Sequence, residues 1–226
     1  MAYGVAAEIR PDWILVLSSM THRRSAILGC TSFGGVERLS CEAMAIALAP
    51  NSLFVTTTQL SETKFHWALV RTDDMPMCNA TRHHWHEKPR PSNDNSAPIE
   101  GYGIQNIQPR SLTGRVVLGY FQIANYSAPA PGVFEEICES TFPTSFATVW
   151  ENRQRGITCR TFVLNVLSEL CSRGYITGWR RTDDIPSFVA SLEKTIVEQS
   201  RRADCSYLTR FYNERVLTWA SPVVVI

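Results

Sequence analysis

The chain has 226 residues, of which 44% are apolar and 19% charged, with 22 Lys and Arg against 21 Asp and Glu. This is an ordinary globular composition, expected to make a single elaborated domain over 1–226 rather than two. A net charge of +1 offers no general nucleic-acid surface, and no run approaches the roughly 18 uncharged apolar residues of a membrane span.

Residues 1–10 put no positive charge ahead of an apolar core and carry Glu8 and Arg10, unlike a secretory signal. The seven cysteines (Cys30, Cys41, Cys78, Cys138, Cys159, Cys171, Cys205) are odd in number and include no Cys-x-x-Cys pair. They read as free thiols in a reducing, cytoplasmic setting. Charge is uneven: 11 basic and 13 acidic groups over 1–150, then 11 and 8 over 151–226, so the C-terminal third stands at +3. A weak basic patch for an anionic carrier or an RNA is one reading of that excess, and a solvated helix face is the other.

In chain order, the apolar, β-branched run at 12–18 predicts a buried strand, and residues at spacings of about four predict a helix over 36–48, stopped by Pro50. Strands follow at 52–58 and 64–71, the second with Phe65, Trp67 and Leu69 on one face and His66, Ala68 and Val70 on the other. A short segment over 81–86, if extended, puts His84 and His86 on one face and His83 on the other. Residues 88–111, with four prolines and several Asn, Ser and Asp, read as a long mobile insertion.

A strand at 115–124 and a helix at 133–139, opened by Pro131-Gly132, come next. The strongest helix runs over 158–172, with an apolar stripe of Phe162, Val163, Val166, Leu167 and Leu170, a Thr158 cap and Gly174 as its stop. Asp184 and Pro186 start another, and Val223–Ile226 can close the chain as an edge strand. Strands and helices mix without a regular βαβ alternation, which predicts an α+β fold.

The sequence holds no phosphate loop, GxGxxG, HExxH or GxSxG motif, so the common nucleotide, zincin and serine-hydrolase readings fall away. What remains is a cysteine and a set of histidines. Cys159 begins the strongest helix beside Arg153, Arg155 and Arg160, where free amides and the helix dipole are expected to lower a thiol pKa. The bland alternative is a small buried thiol. His66, on a strand, can take the proton of such a thiol and later return it to a leaving group. His83, His84 and His86 follow it by 17, 18 and 20 residues, and one of them could hold the imidazole in the right tautomer. A metal set of Cys78, His83, His84 and His86 matches no standard zinc spacing. No metal and no cofactor is assigned.

A strand histidine, a polar residue on the next strand and a helix-starting cysteine, in the segments FHWALV, HHWH and GITCRTFVLNVLSEL, together resemble the circularly permuted papain-like fold of lecithin-retinol-acyltransferase-like enzymes. They are also similar to a fungal domain group. The resemblance covers about residues 52–176 and implies an antiparallel sheet packed against the Cys159 helix. It implies Cys159 as nucleophile, His66 as base and His84 as orienting group. The helix start TCRTFV lacks the Asn-Cys-Glu-His of the acyltransferases.

The expected function is a cysteine-dependent acyl-transfer enzyme, a hydrolase, amidase or transferase working through a thioester on a small-molecule or peptidyl substrate, in biosynthesis. One alternative is a synthase of the cyclodipeptide type that uses an aminoacyl carrier or transfer RNA. The other is a non-catalytic binding domain with Trp85, Tyr102 and Trp179 as its contact surface.

Overall fold

The structure, a computed structural model, describes residues 46–61, 64–74, 80–89, 98–109, 116–178, 184–214 and 219–226. The expected strand at 12–18 lies outside them, as does the helix at 36–48 except for residues 46–48, which run irregularly. Among the described residues ten elements are formed: β1 (Leu53–Ser61), β2 (Lys64–Thr72), β3 (Ala80–Glu87), β4 (Glu100–Ile107), β5 (Val117–Gln122), α1 (Val133–Thr141), α2 (Val149–Gln154), α3 (Cys159–Ser172), α4 (Ile185–Glu214) and β6 (Val223–Val225).

The fold is mixed α+β, with a six-stranded sheet in the order β4-β3-β2-β1-β5-β6 packed against helices. The sheet is antiparallel except at one edge, where β6 pairs parallel with β5. The wholly antiparallel expectation is corrected there, because four helices carry the chain over the sheet between β5 and β6.

Side-chain alternation divides the sheet into two faces. Leu53 and Val55 of β1, Trp67 and Leu69 of β2, Trp85 of β3 and Phe121 of β5 pack with α1, α3 and α4 into the main core. Phe54, Val70 and Tyr120 point the other way, where Ile46, Leu48 and Ala49 cover them. The five-residue apolar stripe of α3 is fully buried, and each such side chain contributes about 1.5–3 kcal/mol. Thr158 caps α3 with its hydroxyl on the Thr161 amide, 3.0 Å, and Gly174 turns the chain away at a φ of +79°, a conformation glycine adopts without a Cβ penalty.

One expectation is corrected. Residues 100–107 are not loop: β4 pairs with β3 along its whole length, from Ala80↔Ile107 to Glu87↔Glu100. Gly101 and Gly103 lie where partner side chains need room, since a Cβ on Gly103 would collide with the His86 ring and one on Gly101 with the Lys88 side chain. Residues 90–97 of that segment lie outside the described residues. The helix that Asp184 and Pro186 start, α4, runs on through Tyr207 to Glu214. Its middle is tied to the sheet by Thr57–Ser200 (2.8 Å) and Gln59–Asp204 (2.7 Å) hydrogen bonds.

Candidate active site

The β2–β3 ladder begins at Thr72↔Ala80 and stops at Leu69↔His83. Beyond it, towards Lys64, the two strands part, and α3 packs against both. The histidines of the two strands meet here: His66 Nε2 lies 3.1 Å from His84 Nδ1, with the rings edge-to-face at 84°. His86 stacks on His84 from the far side, 4.3 Å between centroids and 8° from parallel, in the space Gly103 leaves.

Cys159 is the first residue of α3. Its sulfur receives the backbone N–H groups of Arg160 and of Trp67, the residue after His66. The loop ahead of it is strapped down. Arg153 places both guanidinium nitrogens on Glu100, at 2.9 and 2.6 Å, and also donates to the Ile157 carbonyl, while Asn152 donates to the same carboxylate at 2.9 Å. Gly156 takes a φ of +70° within this loop. A Thr148–Glu151 capping box starts α2 and so sets the direction of Arg153. That T-x-x-E signature was readable in the sequence, although α2 was not among the predicted elements.

The electrostatics correct one expectation. Burial pushes the Cys159 thiol above its ordinary value, and the Trp67 amide, Arg153 and the Arg160 amide offset that only in part. Arg155 lies instead over the Phe146 ring at 4.4 Å, and Arg160 pairs with Glu193. The resting residue is therefore a thiol that needs a base, not a preformed thiolate. His84 is held near a pKa of about 3, first by burial and then by Arg82 and the neighbouring histidines, so it stays neutral at physiological pH. Burial also lowers His86.

His83 goes elsewhere. As the extended reading requires, it points opposite to His84, into the helical core, where it is fully buried against Phe134 at 4.9 Å. Its Nδ1 lies 2.7 Å from the Tyr102 hydroxyl, which also contacts the Cys138 thiol. This buried chain was not visible in the sequence, because Tyr102 was assigned to a loop. His83 and His84 on opposite faces rule out a shared site for the two, and among the described residues no cluster of three metal-binding side chains forms. Cys78 and Trp179 lie outside those residues. The surface expected of Trp85 and Tyr102 is corrected too: Trp85 packs beneath Phe142 and Phe162, and Tyr102 packs against Phe162.

A cavity of about 390 Å³ opens beside the thiol, lined by Leu60, Lys64, Phe65, Trp67, Arg153, Thr158, Cys159, Arg160, Val197 and Arg201. Among the described residues no helix is long and apolar enough to cross a membrane. Comparison with protein-family models, with curated proteins and with solved structures finds no match to the chain.

Proposed function

We propose that the protein is a cysteine-dependent acyl-transfer enzyme of permuted papain-like architecture, with Cys159 as nucleophile, His66 as base and His84 as orienting group. The observation that carries this reading is the His66–His84 pair at 3.1 Å on the strand segment whose next amide, Trp67 N–H, meets the Cys159 sulfur. Strict alternation directs His66 away from the helices. On this reading the His66 ring must swing towards the sulfur at the level where the β2–β3 ladder has ended.

The orienting role requires the tautomer in which His84 Nδ1 accepts from His66 Nε2–H, so that His66 keeps Nδ1 as the basic nitrogen. In the first half-reaction the Cys159 proton passes to His66 Nδ1 as the sulfur attacks an acyl carbonyl. The carbon–heteroatom bond to the leaving group then breaks, and His66 returns the proton to that group. In the second, His66 takes a proton from water or an acceptor nucleophile, which attacks the thioester and releases Cys159 as a thiol. The His66 imidazolium formed in between donates Nε2–H to His84, a charge-assisted bond stronger than its resting form.

The test is acyl trapping with p-nitrophenyl acetate. An acetyl group on Cys159, found by peptide mass spectrometry, and an initial burst of nitrophenolate are expected. Cys159→Ser and His66→Ala should each lose the burst, and the double variant should be no worse than either single one, as for residues acting as a unit. Acetylation at another site, or wild-type turnover by a folded Cys159→Ser variant, overturns the proposal.

A further inference from the structure

Among the described residues, four cationic side chains and no acidic one line the cavity beside Cys159. Two of the four are committed within the fold, Arg153 to Glu100 and Arg160 to Glu193. The other two, Lys64 at the start of β2 and Arg201 on α4, are exposed and enter no salt bridge among the described residues. Of the two acids one turn from Arg201 on α4, Asp204 receives the Gln59 amide at 2.7 Å and Glu198 is exposed and enters no salt bridge among the described residues. Leu60, Phe65 and Val197 add apolar walls to the same cavity. Charge of one sign within low-dielectric walls focuses its field into the cavity and raises the local concentration of the opposite sign.

We infer that Lys64 and Arg201 bind an anionic group, a carboxylate or a phosphate, carried by the acyl donor that reacts at Cys159. This rests on the reading of Cys159 as nucleophile and adds a substrate class to it. The apolar walls suit the acyl chain or ring that joins the anion to the reacting carbonyl. The separation of the two cations on different elements suits a group with several oxygens, since one carboxylate or phosphate can receive both.

Thiol–disulfide exchange reads this site without a known substrate. The Cys159 thiolate attacks one sulfur of an aromatic disulfide, giving a Cys159–aryl mixed disulfide and one arylthiolate. The thiol proton passes to a base. Rates are compared for dithiobis(nitrobenzoate), which bears a carboxylate on each ring, and for neutral dithiodipyridine, with labelling of the Cys159→Ala variant subtracted. The ratio of anionic to neutral rates should fall roughly tenfold in the Lys64→Glu, Arg201→Glu double variant. Inorganic phosphate or benzoate should protect wild-type Cys159 but not the variant, and the more protective of the two identifies the preferred anion.

The Lys64→Gln, Arg201→Gln variant provides a second comparison should charge reversal disturb folding, and circular dichroism checks both. An unchanged ratio in the folded variants, or no protection by either anion, overturns the inference. Acetylation of Cys159 by the neutral p-nitrophenyl acetate should survive both double variants. If it does while the ratio is unchanged, the anion site fails and the nucleophile stands. If anions protect Cys159 but wild type is never acetylated there, the acyl-enzyme reading fails instead.

Discussion

At the scale of single residues, Cys159 shows two influences in opposition. A helix start and an arginine favour the thiolate, but partial burial disfavours it more, and the thiol ends above its ordinary value of 9.0. The sequence displays the first influence and hides the second, because burial is a property of neighbours distant along the chain. Alkylation of Cys159 by iodoacetamide, followed by mass spectrometry across a pH series, should therefore show a midpoint above 9.0. A midpoint near neutrality would mean that the amides of Trp67 and Arg160 and the Arg153 charge outweigh burial. His84 presents a similar case, since the low pKa that keeps it neutral is imposed mainly by burial.

At the scale of elements, the site depends on two strands that pair at one end and part at the other. β4 supports the parted end of β3, and Gly103 on β4 makes the space in which His86 stacks on His84. Gly103→Ala should displace His86 and disturb the His84 ring behind it, lowering the rate of Cys159 acetylation by p-nitrophenyl acetate by about ten- to a hundredfold, the cost of a misplacement of about an ångström. Adding His86→Ala removes the obstructing ring and should recover part of that rate. If the double variant is as slow as Gly103→Ala alone, the glycine acts through the strand backbone and not through the histidine stack. α2 plays a comparable part from the other side, since its capping box orients Arg153 and the Arg153–Glu100 clamp fixes the loop that ends at Cys159.

At the scale of the whole molecule, the buried chain His83–Tyr102–Cys138 couples the core to pH. Burial, then the Arg71 charge, lowers His83 to about 4 from 6.5, against the opposing pull of Glu135. Between those two values the unfolded chain binds a proton that the native protein does not. The stability present above pH 6.5 is thus lost as pH falls through the window, by about 3 kcal/mol in all. Urea denaturation above and near the bottom of that window should show a smaller loss in His83→Gln than in wild type, by about 2–3 kcal/mol. Equal losses would place the acid sensitivity elsewhere. His83 thus serves the stability of the core, while its sequence neighbour His84 pairs with His66 on the other face of the sheet.

What the sequence determined by itself is what local chemistry decides. The period of two in FHWALV made β2, and the apolar stripe with Thr158 and Gly174 bounded α3. The alternation along HHWH also told in advance that His83 and His84 part company. The tertiary structure alone decided the rest. Gly-Tyr-Gly at 101–103 becomes a strand only because β3 supplies a ladder and side chains that need the missing Cβ atoms. Tyr102 reaches His83, and Cys159 reaches the amide beside His66, only once the sheet has its order. Hydrogen-bond partners, desolvation and the field of the cationic cavity come from residues far apart in the chain, so they exist only after the chain has closed on itself.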